Sequence, residues 1–262
     1  MLDTQNNPFN LPESFEESFE HYHVPKQYKN WLVLSDIHCP YHSIKALTEC
    51  LNYGIQKNID AILINGDGMD CYQLSKFNPD PRKRNFKEEL DAFGQLLDIL
   101  RGIAPVFYKT ANHEMRYEKL LITKAPELLG VAEFELANLL HLGERKIEMI
   151  KDDRIIYVGK LPVIHGHEVH LAGVSVNPAR SLFLKTKKSA LCGHLHQTSQ
   201  HCETTIDGKL ITTWSTGHLS DPHPLYARIN KWNWGAARIE VDDEGNFEVI
   251  NLRLQGNKLF RS

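Results

Sequence analysis

Carboxylate, imidazole and amide side chains occur in five short clusters, each of which follows a run of apolar residues. The clusters are Asp36-Ile37-His38, Asp67-Gly68-Met69-Asp70, Asn112-His113-Glu114, His165-Gly166-His167 and Gly193-His194-Leu195-His196. Ligands of these mixed types suit Mn, Fe or Zn better than the oxygen-only sites of Ca or Mg. The clusters offer more ligand-type groups than one ion can bind, so the pattern predicts two divalent metal ions that share a bridging carboxylate.

The apolar runs before these clusters predict strands, and segments with helical periodicity between them predict crossover helices. The predicted strands are 31–35, 62–65, 105–109, 162–164 and 190–192, and the predicted helices are 43–57, 85–101, 115–123 and 134–141. Residues 71–83 contain Asn78, Pro79 and Pro81 and predict a loop. Because ligands of open α/β sheets bind beyond the carboxyl ends of the strands, the five clusters are expected at one sheet edge.

The remaining segments complete a single domain in this interpretation. Residues 209–214, 236–241 and 247–252 have strand character, and the last two flank Asp243-Glu244-Gly245-Asn246 as an antiparallel hairpin. Residues 1–29 show no sustained period and predict an N-terminal extension beside a domain that spans 30–262.

Composition excludes several classes of protein. Thirty basic and thirty-three acidic residues give a net charge of -3, so no overall basic field attracts nucleic acid or membrane. No apolar run reaches the length of a membrane span, and the first residues lack the layout of a signal peptide. A cytoplasmic protein is expected, in the host cytoplasm if a phage encodes it. The five cysteines form no CxxC pair and predict reduced thiols. The oligomeric state stays open.

The order of the motifs, DxH, GDxxD, NHE, GH and GHxH, resembles the calcineurin-like binuclear metallophosphoesterase family. The motifs run from Asp36 to His196, and five of them in order after predicted strands make a specific pattern. The segments Asn112–Arg116, Gly217–Leu219 and Trp232–Gly235 are similar to a stand-alone phage and bacterial subgroup. The resemblance implies an α/β fold, a four-layer α/β/β/α sandwich of two mixed sheets flanked by helices.

The resemblance also implies roles for individual residues. Asp36, His38 and His196 would hold one metal, Asn112, His167 and His194 the other, and Asp67 would bridge them. His113 would face the leaving-group oxygen, and Asp70 would hydrogen-bond His113 and set its tautomer. Apart from the resemblance, Arg82 and Arg84 belong to a basic run after the Asp67 strand that could hold a phosphate backbone, and together with Arg116 they are candidates for substrate binding. Ala111 departs from the glycine usual in the family before the asparagine, and would be strained if that position needs a positive φ.

These roles predict a metal-dependent phosphoesterase in which a hydroxide bridging two ions, Mn with Fe, Zn or Ni as alternatives, attacks phosphorus in line. A phosphodiester in nucleic acid or a nucleotide is the favoured substrate, because the segment after Asp70 lacks the arginine found there in protein phosphatases. The alternatives are a phosphomonoesterase, acting on proteins or small molecules, and a non-catalytic scaffold of the same fold. Trp232 and Trp234 could stack on bases, although packing in a sheet is the commoner reason for an alternating aromatic pair in a β-rich tail.

Overall fold

A computed structural model of the chain describes residues 7–15, 19–75, 82, 85–151, 154–171, 176–222 and 227–261. The strands are β1 (Tyr22–His23), β2 (Asn30–Leu34), β3 (Ala61–Asn65), β4 (Val106–Lys109), β5 (Glu148–Ile150), β6 (Ile156–Val158), β7 (Leu161–Ile164), β8 (Ala190–Cys192), β9 (Ser199–Thr204), β10 (Leu210–Ser215), β11 (Gly235–Val241), β12 (Phe247–Gln255) and β13 (Lys258–Arg261). The helices are α1 (Ile44–Gln56), α2 (Phe86–Ile103), α3 (Met115–Lys124), α4 (Leu136–Leu139), α5 (Leu142–Arg145) and α6 (Pro178–Thr186). Within the described ranges, none of these helices has both the length and the apolar character that a bilayer span requires.

Two mixed sheets form the centre of the fold. The seven-stranded sheet has the order β13-β12-β11-β2-β3-β4-β5, in which β2 to β5 are parallel and the other pairs are antiparallel. The six-stranded sheet has the order β1-β6-β7-β8-β10-β9. Its edge strand β1 comes from the predicted N-terminal extension and pairs in parallel with β6. The hairpin expected in the tail is β11 and β12.

The alternation of side chains in β2 shows how the layers are built. Trp31 and Val33 point into the core between the two sheets, where they pack with Val163 and Trp214 of the six-stranded sheet. The intervening Leu32 and Leu34 point the other way, into a core shared with α1 and α2. A third cluster lies where α6 covers the outer face of the six-stranded sheet. Strands buried on both faces explain the continuous apolar runs, and the four-layer α/β/β/α sandwich is confirmed.

Local sequence signals locate the crossover helices well. Ser43 caps α1 by accepting a hydrogen bond from the Ala46 N–H, and Asn85 caps α2 through the Glu88 N–H. The predicted helix over 134–141 is shorter in the structure, where α4 follows a 3₁₀ turn at Ala132–Phe134 and covers only Leu136–Leu139, and a separate short helix, α5, begins at Leu142. The predicted loop over 71–83 contains a 3₁₀ turn at Tyr72–Leu74, and residues 76–81 and 83 lie outside the described part of the chain.

Candidate metal centre

The five clusters meet at the carboxyl ends of strands from both sheets, not of one sheet as expected. Asp36, Asp67 and the Asn112-His113 pair follow the parallel strands β2, β3 and β4. His165 directly follows β7, and His194 follows β8 in the other sheet. The two sheets are packed face to face, so their strand ends place these side chains around one buried volume.

Three overlapping groups of ligand-type atoms form within this volume, and the atoms of each group lie within 4.8 Å of one another. The groups are Asp36, His38 and His196, then His38, Asp67 and His113, and finally Asp67, His165 and His194. Asp67 belongs to two of the three groups, which is the position that a bridging carboxylate requires. Asp36 and Asp67 are almost fully buried, so their charges need compensation by cations.

Backbone strain is concentrated in this centre. Five of its residues adopt left-handed conformations with φ between +49° and +68°, namely Asp36, His38, Asp67, His194 and His196. Such conformations cost about 1–2 kcal/mol for a residue with a side chain. The surrounding structure therefore holds these side chains in orientations that free turns would avoid, as is common at functional sites.

Hydrogen bonds from the outer nitrogens turn two imidazoles toward the centre. The Nδ1 of His38 donates to Asp70 Oδ1 at 3.0 Å, so its Nε2 faces His196 at 3.2 Å. The Nδ1 of His165 donates to the Asn65 carbonyl at 2.8 Å, and its Nε2 lies 3.2 Å from Asp67 Oδ2. Metal-binding histidines are typically oriented in this way by a carboxylate or a carbonyl on the far nitrogen.

His165 is the main residue that sequence analysis missed. The family resemblance had assigned the ligand role to His167, whereas the structure groups His165 with Asp67 and His194. His167 is not in any of the three groups, and its Nδ1 lies 3.4 Å from Glu168. His165 is the first residue after β7, and its position directly at the end of a predicted strand was the signal for a site residue that the sequence offered.

Asp70 hydrogen-bonds His113 through its main chain. The His113 Nδ1 donates to the main-chain oxygen of Asp70 at 2.7 Å and lies 3.4 Å from its carboxylate. The other ring nitrogen, Nε2, lies 2.9 Å from the Arg116 guanidinium and 3.7 Å from Asp67 Oδ2. Arg116 also donates to the Asp70 main-chain oxygen, which places its positive charge beside His113.

Two buried polar atoms test whether the centre fits a metal ion. The Oδ1 of Asn112 and the Nε2 of His165 are buried without a hydrogen-bond partner of acceptable geometry. Unpaired polar atoms of this kind are costly unless a ligand satisfies them. An oxygen and a nitrogen beside ionised carboxylates form a donor set that suits a borderline divalent metal. The residues present therefore fit divalent cations.

The ionisation states of the centre also favour cations. Burial raises the pKa of Asp36, but the nearby His196 and His165 together lower it by more than burial raises it. The net pKa is therefore below its usual value. Burial likewise raises the pKa of Asp67, while His113 and His165 bring it well below normal. Burial and the neighbouring His165 lower the pKa of His194 to about 4. Ionised carboxylates and a neutral imidazole are the forms that bind metal.

His165 responds oppositely to the same surroundings. Burial lowers its pKa, but Asp67 and Asp36 outweigh burial and raise it to about 10. Without a cation, the two carboxylates therefore retain a proton on this imidazole. A metal ion that binds there displaces the proton, so metal binding and proton release are coupled.

Close packing around two glycines builds the turns of the centre. A Cβ on Gly193 would overlap the Ser35 hydroxyl and lie 2.7 Å from Asp36 Oδ2, so the turn before His194 can approach β2 only with glycine. A Cβ on Gly66 would lie 2.5 Å from both Ala111 Cβ and His165 Nδ1. Ala111 itself is not among the residues with positive φ, so the expected strain from its Cβ does not arise.

Glu114 joins two of the loops. Its Oε1 accepts hydrogen bonds from the Met69 N–H and the Tyr108 hydroxyl, both at 2.9 Å, and its Oε2 accepts from the Ala111 N–H at 2.8 Å. These contacts make Glu114 a structural residue. Of the other predicted substrate-binding residues, Arg82 is exposed and Arg84 lies outside the described residues.

Comparisons with known proteins agree with this geometry. The family model for calcineurin-like phosphoesterases matches residues 30–202, a range that contains every ligand-type residue named above. No curated protein sequence matches the chain significantly.

Similar solved structures include Vps29 from Cryptosporidium parvum, with 13% identity over 90% of this chain and 96% of that chain and a TM-score of 0.49. Wild-type Vps29 from Entamoeba histolytica complexed with zinc has 14% identity over 89% and 97%, with a TM-score of 0.45. YfcE, a phosphoesterase from E. coli, has 13% identity over 84% and 98%, with a TM-score of 0.38. These identities are too low to transfer an activity.

Proposed function

The chain belongs to the calcineurin-like phosphoesterase family, and on that premise we propose that it is a metal-dependent hydrolase of phosphodiesters in nucleic acid or nucleotides. One observation carries the proposal. A buried volume is surrounded by carboxylate and imidazole ligand atoms from five strand ends. Asp67 belongs to two of the overlapping groups that these atoms form. Such an arrangement has a large desolvation cost that cations offset.

The assignment of ligands follows the observed groups. Asp36, His38 and His196 would hold one ion, and His165, His194 and the Asn112 amide oxygen the other, with Asp67 between them. In this assignment His165 replaces His167. Mn is the proposed metal, with Fe, Zn and Ni as alternatives, because the ligands mix imidazole with oxygen. When bound, such ions neutralise charge on phosphoryl oxygens and lower the pKa of water.

The protein's own groups determine how a phosphoester lies in the site. The Arg116 guanidinium is available to a phosphoryl oxygen next to His113. His113 is held by the bond from its Nδ1 to the Asp70 main chain, so its Nε2 is the atom that faces the substrate. Because Nε2 contacts the Arg116 guanidinium at 2.9 Å, it would stabilise or protonate the leaving-group oxygen only when it carries a proton and Arg116 turns to a phosphoryl oxygen.

The segment after Asp70 is the feature that favours a diester over a monoester. The segment after Asp70 supplies the buried Cys71 thiol and Tyr72, whose ring packs edge-on against Tyr41. It lacks the arginine that follows the second aspartate in protein phosphatases.

The experiment measures hydrolysis and metal content together. Mn-loaded protein is assayed with bis(p-nitrophenyl) phosphate and with p-nitrophenyl phosphate, and bound metal is quantified by mass spectrometry. We expect about two ions per chain and faster turnover of the diester. A preference for the monoester would instead support a phosphatase, and a fully loaded protein that hydrolyses neither ester would support the scaffold alternative.

Two variants with similar backbone conformations provide a matched control. His38→Ala and His141→Ala each remove an imidazole at a φ near +50°, but His141 lies on the exposed surface. We expect His38→Ala to lose metal and activity, and His141→Ala to keep both. Asp67→Asn and His113→Ala should each reduce turnover strongly, and full turnover by either variant with metal bound would contradict the proposed roles.

A further inference from the structure

The two tryptophans that precede β11 have different surroundings, although alternation predicted packing in a sheet for both. Neither residue lies within the strand. Trp234 packs against the core beneath α1 and α2, and its Nε1 donates to the Ser220 carbonyl at 2.8 Å. The partly exposed Trp232 instead places its ring centroid 4.3 Å from that of His196. Trp232 is therefore a neighbour of the metal centre.

The segment that carries Trp232 is fixed to the centre by its neighbour Asn233. The Asn233 N–H donates to the His196 carbonyl at 2.9 Å, and its side-chain oxygen accepts from the Thr198 N–H at 2.9 Å. The Asn233 carbonyl accepts from the His218 N–H at 3.0 Å. The Trp232 N–H also donates to the Asn230 side chain at 2.9 Å, so the main chain is held at and after the indole, and a ring that is already ordered binds a ligand with a smaller entropic cost.

Ring contacts connect Trp232 to the group proposed to face the leaving group. The centroid distances are 4.4 Å from His113 to His38, 5.1 Å from His38 to His196, and 4.3 Å from His196 to Trp232. Arg116 contacts the first member, His113. Arg116 and Trp232 thus lie at the two ends of this series of contacts, and the metal ligands His38 and His196 lie between them.

With His113 at one end of the ring contacts and Trp232 at the other, the two ester arms of a bound diester would lie at opposite ends of the centre. In hydrolysis, the oxygen of water forms a new P–O bond and water releases a proton, while the P–O bond to the leaving arm breaks. The leaving oxygen takes the electron pair of that bond and departs beside His113, either protonated or as a stable anion, and the other arm stays on phosphorus. A monoester has no second arm to place at the other end.

Resting on the proposed function, we propose that Trp232 is a specificity-determining residue that stacks on the planar group of the retained arm. The preferred substrates would then be diesters that retain a nucleoside. Stacking of one base on an aromatic side chain changes affinity by at least about fivefold.

Two esters with the same leaving group test this inference. The p-nitrophenyl ester of thymidine 5'-phosphate retains thymidine, and methyl p-nitrophenyl phosphate retains a methyl group, while both release p-nitrophenolate. We expect Mn-loaded wild-type protein to favour the thymidine ester by at least about fivefold in kcat/KM. Trp232→Leu should bring that ratio close to one, and Trp232→Phe, which keeps a flat ring, should retain most of it.

A binding measurement provides a readout independent of turnover. Calorimetry with thymidine 5'-monophosphate and with methyl phosphate should show a preference for the nucleotide in the wild-type protein, and the preference should be lost in Trp232→Leu. A purely structural role for Trp232 would lower the values for both esters together and leave their ratio unchanged, and this result would overturn the inference.

The outcomes also separate this inference from the proposed function. Hydrolysis of the methyl ester without any preference for thymidine would overturn the role of Trp232 and leave the phosphodiesterase intact. Failure to hydrolyse either ester with metal bound would overturn the phosphodiesterase and, with it, a specificity role for Trp232.

Discussion

Lys109 and Glu168 form an ion pair of 3.1 Å that joins the end of β4 to the turn carrying His165, so it ties the two sheets together beside the metal centre. The Lys109 side chain is completely buried and that of Glu168 is 6% exposed. Glu168 also accepts hydrogen bonds from the main-chain N–H groups of His165 and Gly166. The position of His165 therefore depends on a charge that is held in place from the other sheet.

Replacing Lys109 with methionine should lower the free energy of unfolding by about 3–5 kcal/mol, because it leaves the Glu168 carboxylate buried without its cation. Urea unfolding followed by circular dichroism measures this loss. The matched control is Lys87→Met, which breaks an exposed ion pair of 2.6 Å with Asp91 and should cost less than about 1 kcal/mol. Equal losses in the two variants would contradict a special role for the buried pair.

The histidine assignment predicts different metal contents for two neighbouring variants. His165→Ala removes an imidazole whose Nε2 faces Asp67 and should lose bound metal and most activity. His167→Ala alters a ring that contacts Glu168 and should retain its metal. Metal analysis of the two purified variants decides between the assignments, and the reverse pattern would restore His167 as the ligand.

Gly66→Ala should disrupt the centre by crowding. The new Cβ would lie 2.5 Å from Ala111 Cβ and His165 Nδ1, in addition to the cost of a side chain at a φ of +85°. Gly208→Ala separates these effects, because Gly208 has a φ of +75° but no atom within 4 Å of the added Cβ. We expect Gly208→Ala to lose about 1 kcal/mol and keep its metal, and Gly66→Ala to lose more stability and bind metal poorly. Similar metal content in the two variants would show that crowding at Gly66 does not affect the centre.

Glu89 should make stability depend on pH between about 4.5 and 7. Burial raises the pKa of this carboxyl to about 7, while the hydrogen bond from the Cys71 N–H lowers it and the charge of Asp70 raises it. In that interval the folded protein keeps a proton that the unfolded chain has lost, so the contribution to stability is full below pH 4.5 and is lost as pH rises to 7.

Glu89→Gln should remove this dependence, which amounts to about 3 kcal/mol at about 1.4 kcal/mol per pH unit. Chemical unfolding of metal-free protein at a series of pH values measures it. The adjacent, exposed Glu88→Gln is the control and should follow the wild-type profile. A Glu89→Gln profile parallel to wild type would show that this carboxyl does not titrate in the interval.

The sequence alone predicted most of the central elements and the residue types of the site, because both depend on short-range patterns. Apolar runs locate β2, β3, β4, β7 and β8, and capping residues with helical spacing locate α1 and α2. It also placed the acids, imidazoles and amide directly after the strands. The elements it missed have weaker patterns. The edge strand β9 has a polar sequence, Ser199–Thr204, and α6 is short, although Asn177 and Pro178 at its start were available signals.

Only the tertiary structure decided which side chains of each cluster face one another. His165 and His167 are two positions apart in a turn without regular periodicity, so spacing cannot tell which ring points at Asp67. The same holds for the Asp70 carboxylate, which binds His38 while its main chain binds His113, and for Trp232, which turns to His196 while Trp234 turns to the core. Side-chain direction in irregular segments is set by contacts between strands that are distant in sequence, and those contacts exist only after the two sheets pack together.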